Sequence, residues 1–305
     1  MSGPLAELRR GGKAALARAL AQAEAAPGDA ATLALLDAAW AAPRAAVIGL
    51  TGPPGVGKST LVSALVRAWR AQGRTVGVIA VDPSSRRTRG ALLGDRTRID
   101  VDPEDQGVFV RSLAARERLG GLADLAAAAM VLMRAVYDVV LVETVGVGQS
   151  ETEIAEIADT VLFAVQPGSG DSLQFMKAGI VEIPDLALVT KADLGAIAAR
   201  ARRDLQGALG IVPGGGGWQP PVLLVSATTG QGIDAALDAI ERHRAYLAPG
   251  LAARRAAQDE AWLARWVREE FGRRGAARLG GGRLGGAGSP FRRLARLSKA
   301  DDGRA

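Results

Sequence analysis

The chain has 305 residues, with 38 Lys and Arg against 32 Asp and Glu, one histidine and no cysteine. That length accommodates one large α/β domain with appendages, and the missing cysteines exclude disulfide frameworks, thiolate metal sites and thiol catalysis. The net charge of +6 suggests a nucleic-acid partner until it is located: residues 272–305 carry eight Arg and Lys299 against Asp301 and Asp302, a net +7, leaving −1 for the rest. The basicity belongs to a tail, so no nucleic acid is expected on the folded part. The longest apolar runs, such as 126–133, are too short to span a bilayer. The N-terminus lacks a signal-peptide core. The expected setting is the cytoplasm of a bacterium, or the mitochondrial matrix of a eukaryote, with no membrane.

In chain order, residues 4–26 read as one helix with Leu16 and Leu20 a turn apart. Pro27-Gly28 breaks it, and Asp29 is placed to cap a second helix carrying Leu33, Leu36 and Trp40. Residues 1–45 thus form a helical arm. From Ala46 to about 248, short β-branched strands at 47–51, 75–81, 108–111, 139–143, 161–166, 186–190 and 222–226 alternate with helical stretches. This pattern predicts an α/β fold, a mostly parallel sheet with helices on both faces, whose ligands sit beyond the C-terminal strand ends.

The first strand runs into Gly52-Pro53-Pro54-Gly55-Val56-Gly57-Lys58-Ser59-Thr60 and then into a helix. Strand, G-x-x-x-x-G-K-S and helix, in that order, make a phosphate-binding loop. Its amides and the helix N-terminus attract phosphate oxygens. Lys58 supplies a point charge for the β- and γ-phosphates, and the Ser59 hydroxyl can ligate Mg²⁺. After the second strand, Asp82 opens an Arg-rich stretch that also holds Asp95; both are candidate metal-side carboxylates. After the fourth, Glu143-Thr144-Val145-Gly146 offers an acid at a strand end and a glycine amide for the γ-phosphate. Gln149 is a candidate for orienting water. After the fifth, the stretch from Gln166 through Asp171 to Lys177 reads either as a third mobile loop or as a helix-capping connector.

Thr190-Lys191-Ala192-Asp193 is the base-reading signal. The Asp193 carboxylate can accept two hydrogen bonds from guanine N1–H and the N2 amino group, which adenine does not offer. Thr190 stands where Asn is commoner, with the loss of one amide contact. Ser226-Ala227 matches the companion element whose backbone N–H reads guanine O6. Four elements in this order favour GTP over ATP.

A helix is expected over 232–247, with His243 on its polar face, and another over 251–271 with Trp262 and Trp266 on one side. That Trp pair fits either a docking or dimer seam, or packing onto the chain's own domain. Residues 272–305 read as a disordered Gly/Arg-rich tail.

Together these segments resemble the MeaB/ArgK GTPases, among them the methylmalonic aciduria type A protein. The resemblance covers about residues 5–271 and is specific in AVDPSS (80–85), GALLGDRTR (90–98), LVETVGVGQSE (141–151) and PGSGDSLQFMKAGI (167–180). It implies a GTP-hydrolysing metallochaperone that gates adenosylcobalamin loading and protects an acyl-CoA mutase. GTP/GDP and Mg²⁺ are the implied cofactors, a homodimer the implied assembly, and a cobalamin adenosyltransferase a further candidate partner. It carries metal and γ-phosphate roles onto Ser59, Asp82, Asp95, Glu143 and Gly146, makes Asp171 and Lys177 coupling residues, and makes 249–271 a dimerisation segment. Related GTPases that insert metals use Cys and His ligands that this chain lacks. The remaining alternative is a regulatory or ribosome-associated GTPase without a mutase partner.

Overall fold

A computed structural model describes residues 3–82, 99–114, 124–144, 154–168, 183–210, 217–278 and 288–302. The chain divides into two compact units, one of residues 46–121 and 138–249, the other of residues 1–45, 122–137 and 250–305.

The first unit is built on seven strands: β1 (Ala46–Thr51), β2 (Val76–Asp82), β3 (Val108–Ala114), β4 (Val139–Glu143), β5 (Thr160–Val165), β6 (Leu186–Val189) and β7 (Val222–Leu224). They pair side by side in the order β3-β2-β4-β1-β5-β6-β7, every pair parallel. Each of β1, β4, β5 and β6 is buried along its whole length, as strands covered on both faces must be. Alternate residues serve opposite faces. Ile48, Leu50, Val78, Leu141, Leu162 and Leu188 pack with the helix Lys58–Ala71 and with Ile233, Leu237 and Ile240 of the helix Ile233–Leu247. On the other face Phe163, Val165, Ala187 and Val189 pack with Ala198 and Leu205 of the helix Ala196–Leu209. Helices therefore cover both faces. The central strand β1 separates β4 from β5, so the chain crosses from one half of the sheet to the other beside the β1 exit, where such sheets bind ligands.

Among the described residues the second unit's helices are α1 (Pro4–Arg10), α2 (Gly12–Ala25), α3 (Ala30–Ala41), α5 (Asp124–Val136), α8 (Leu251–Arg278) and α9 (Pro290–Asp302), and the sheet unit's are α4 (58–71), α6 (196–209) and α7 (233–247). Asp29 caps α3 as expected, accepting from the Ala31 and Thr32 amides at 3.0 and 3.2 Å. The single helix expected over 4–26 is instead α1 and α2, because Gly12 takes φ 58° and breaks the run.

Two further expectations are corrected. His243 is not on a polar surface but 1% exposed. Its Nδ1 lies 2.9 Å from Thr160 Oγ1, its Nε2 3.2 Å from Asp185 Oδ1, and its ring 4.7 Å from that of Trp218. With Ile233, Leu237 and Ile240 it falls on the one apolar stripe of α7, a spacing that outweighs its polarity. The tail is likewise not disordered throughout: α9 buries Phe291 and Leu294, which with Leu297 recur every three residues and form an apolar face. Around them pack Leu263, Val267, Trp262 and Trp266, with the Trp262 and Phe291 ring centres 5.3 Å apart. The Trp pair thus packs within the chain. Polar contacts fasten the same unit: Trp40 Nε1 donates to Asp259 at 2.6 Å, and Arg293 is paired with Glu260. Burial pushes the Asp259 carboxyl above its ordinary value, the Trp40 hydrogen bond offsetting part of the shift.

Leu294→Ala is expected to lower unfolding stability by about 2–4 kcal/mol through the cavity it leaves. Denaturant titration measures this. Amide exchange should show protected residues in 291–298, and a fully exchanging segment there would contradict a packed α9.

Candidate functional site

The β1 exit positions the phosphate loop. Gly52 has φ 145°, and a Cβ on it would lie 2.1 Å from the Ala164 carbonyl oxygen of β5, so no larger residue fits. The loop runs through exposed Pro54 and Gly55 to buried Val56 and to Gly57, whose φ of 90° turns the chain into α4. Lys58 opens that helix, with Thr60 exposed in its first turn. The Lys58 ammonium is buried and donates to the Gly52 and Pro53 carbonyls at 2.7 and 3.0 Å. A cation is thereby held inside a ring of backbone at a helix N-terminus, an arrangement suited to bound phosphates.

Beside it, Ser59 Oγ donates to Glu143 Oε1 at 2.8 Å. Glu143 is buried, the last residue of β4, and in register with Leu50 of β1 and Ala80 of β2. A hydroxyl beside a carboxylate is a hard-oxygen donor pair, so these residues fit Mg²⁺. Asp82 ends β2, two residues beyond the Ala80–Glu143 register, at the same edge. The exits of β1 and β4 are joined by Thr144, which donates from its amide to the Leu50 carbonyl and pairs its hydroxyl with that of Thr51 at 3.0 Å. Asp95, Gly146, Gln149, Asp171 and Lys177 lie outside the described residues.

The elements expected to read the base converge at the exits of β6 and β7. Ser226 Oγ donates to Asp193 Oδ1 at 2.6 Å, bringing together the carboxylate and the companion element. Ala227 follows directly. Asp193 sits in a 3₁₀ turn, Ala192–Leu194, whose first amide donates to the Val225 carbonyl. Lys191 alone among the described non-glycine residues has positive φ, 54°, and its ammonium donates to Gln166 Oε1 at 2.6 Å. Sequence reading named Gln166 only as the start of a loop. Its position one residue past β5, the strand adjoining β6, is the signal that it could meet Lys191. Thr190 has a part that sequence alone did not reveal: its buried hydroxyl lies 2.8 Å from the Val56 carbonyl and 3.0 Å from the Val165 carbonyl. It ties the turn at 190–194 to the loop at 52–57.

A family model described as "Methylmalonyl Co-A mutase-associated GTPase MeaB" matches residues 16–278. The chain belongs to the MeaB GTPase family. It is 43% identical over 269 residues to a candidate GTPase of Caulobacter vibrioides, covering 86% of this chain and 82% of that one. GTPase ArgK of Escherichia coli K12 is 41% identical over 229 residues, 73% of this chain and 69% of ArgK. The mouse methylmalonic aciduria type A homolog, a mitochondrial protein by name, is 37% identical over 228 residues, 73% of this chain and 55% of its own length. Among solved structures, a LAO/AO transport system kinase superposes with a TM-score of 0.70 at 32% identity, covering 98% of this chain and 96% of that one.

Lys58→Ala in this MeaB-family chain is expected to remove measurable GTP binding in calorimetry while circular dichroism and melting stay near those of the wild type. The substitution deletes the cation of an anion cradle and leaves the apolar face of α4 intact.

Proposed function

We propose that this protein is a GTP-hydrolysing chaperone of an adenosylcobalamin-dependent acyl-CoA mutase of the methylmalonyl-CoA mutase type, gating cofactor loading and protecting the enzyme. The observation that supports the GTPase part is the joining of Asp193 to Ser226 and of Thr190 to Val56, which links the proposed guanine-reading turn to the phosphate loop. The partner rests on the family description.

In this reading Asp193, steadied by the Ser226 hydroxyl, accepts from guanine N1–H and N2, while the Ala227 amide faces O6. Lys191 lays its stem against the purine. The loop amides and Lys58 hold the β- and γ-phosphates. Ser59, Glu143, Asp82 and Asp95 would hold Mg²⁺, and the Gly146 amide would meet the γ-phosphate. Mg²⁺ held by these residues would supply positive charge against the charge that develops during phosphoryl transfer. The preorganised cation and amides favour the charge distribution of the transition state over that of the ground state. We further propose that the protein is a cytoplasmic homodimer, and that Asp171 and Lys177 couple hydrolysis to the mutase. Among the described residues no helix is long and apolar enough to cross a membrane.

Asp193→Asn should weaken GTP binding and favour xanthosine triphosphate, because the amide can donate to the second carbonyl oxygen of xanthine. Competition binding reads the change. Wild-type protein that holds ATP as tightly as GTP would contradict the guanine assignment.

Asp171→Ala and Lys177→Ala should leave basal hydrolysis within a few-fold of wild type and largely abolish acceleration by the mutase, a coupling of about 1–3 kcal/mol. Single-turnover assays with and without mutase decide it. Full stimulation of both variants would remove the coupling role. Co-purification of ribosomal material in place of a mutase would favour the regulatory alternative.

A further inference from the structure

Ser63 lies one helical turn beyond Ser59 in α4, 2% exposed, on a helix whose neighbouring Leu61, Val62, Leu65 and Val66 are buried in the sheet-facing core. Packing alone does not call for a hydroxyl there, since alanine has the higher helix propensity. The hydroxyl has two partners. It donates to the Ser59 carbonyl at 3.1 Å and accepts from the Asp100 backbone amide at 2.9 Å. Ser59 in turn donates its own hydroxyl to Glu143 at 2.8 Å. Asp100, Ser63, Ser59 and Glu143 are therefore linked through a single turn of helix. Ile99, the residue before Asp100, is 3% exposed in the same core, so this stretch of chain is fixed by an apolar anchor and a hydrogen bond together. The Arg67–Asp100 ion pair adds little, because its side chains are 54% and 93% exposed.

We propose that Ser63 is a positioning residue for GTP hydrolysis, holding Ser59 in line with Glu143 by fixing the backbone of α4 against the chain at residues 99–101. The proposal rests on the reading of Ser59 and Glu143 as the metal-side pair. A serine hydroxyl bonded to the carbonyl four residues back bends a helix slightly. Here it does so at the turn that carries Ser59. Removing it lets Ser59 shift and leaves the Asp100 amide without its acceptor. Nucleotide affinity depends on Lys58, the loop amides and Asp193, none of which Ser63 touches among its described partners. Rate is more sensitive than affinity to a small misplacement on the metal side.

Ser63→Ala is the test, with Ser63→Thr as the variant that restores the hydroxyl. For Ser63→Ala, GDP affinity should stay within about twofold of wild type, while single-turnover hydrolysis at saturating Mg²⁺ falls about five- to tenfold, the effect of one lost hydrogen bond. The Mg²⁺ concentration for half-maximal hydrolysis should rise. Exchange of the Asp100 amide, read without nucleotide, should accelerate by about tenfold or more. Ser63→Thr should recover both the rate and the Asp100 protection. Unchanged hydrolysis and Mg²⁺ dependence in Ser63→Ala overturn the proposal, as does a fall in rate matched by an equal loss of GDP affinity. Wild-type protein that binds no GTP removes the nucleotide reading and the proposal together. A hydrolysing wild type with an indifferent Ser63→Ala removes the proposal alone.

Discussion

The Ala164 carbonyl oxygen of β5 occupies the space that a side chain on Gly52 would need. This close approach lets the phosphate loop leave β1 pressed against the end of its neighbour, and the rest of the site is arranged around the same strand end. The next carbonyl along, Val165, accepts both the amide and the hydroxyl of Thr190. The residue after it, Gln166, receives the Lys191 ammonium. One strand terminus thus borders the loop at 52–57 on one side and the turn at 190–194 on the other. Parallel pairing supplies the alignment, because β1, β5, β6 and β7 all deliver their C-terminal ends to one edge.

Thr190 shows how a departure from a commoner residue can be accommodated. An amide side chain brings two donors and an acceptor, a hydroxyl one donor and two lone pairs. The single Thr190 proton is directed at two backbone carbonyls on different elements, Val56 and Val165. Because Thr190 is buried, water does not readily replace either contact. In the proposed reading base recognition rests on Asp193, whose carboxylate is held by Ser226 across the β6–β7 boundary, with Lys191 in a left-handed conformation just before it. A non-glycine residue in that conformation persists where its surroundings over-determine it. The bonds of Thr190, Ala192 and the Lys191 ammonium itself provide that constraint.

Much of this was legible in the sequence, and what was not has identifiable causes. The alternation of β-branched runs with helical stretches gave the parallel sheet, and the strand–loop–helix order gave the phosphate loop, because both patterns arise from local geometry. Strand order is a long-range property and could not be read from spacing. The buried position of His243 was in fact encoded at i+3 from Ile240 on the α7 stripe, but its polarity weighed too heavily against that spacing. Likewise the Gly/Arg-rich composition of the tail concealed the Phe291, Leu294, Leu297 repeat that makes α9 amphipathic. The Thr190–Val56 bond, between residues 134 positions apart, had no sequence signal at all.

Six helices from three separated stretches of chain make up the described part of the helical unit, and α9 supplies part of its core. Ser289, just before α9, bonds Asp37 of α3, a partner 252 residues earlier. Every residue of the sheet unit lies at or before residue 249. During synthesis from the N-terminus, the sheet unit therefore has all its residues while the C-terminal helices are still to be made. The helices at 4–41 emerge before the sheet yet must wait longer for their final partners beyond residue 250. The order of completion runs opposite to the order of appearance, and protein length beyond the sheet sets the delay.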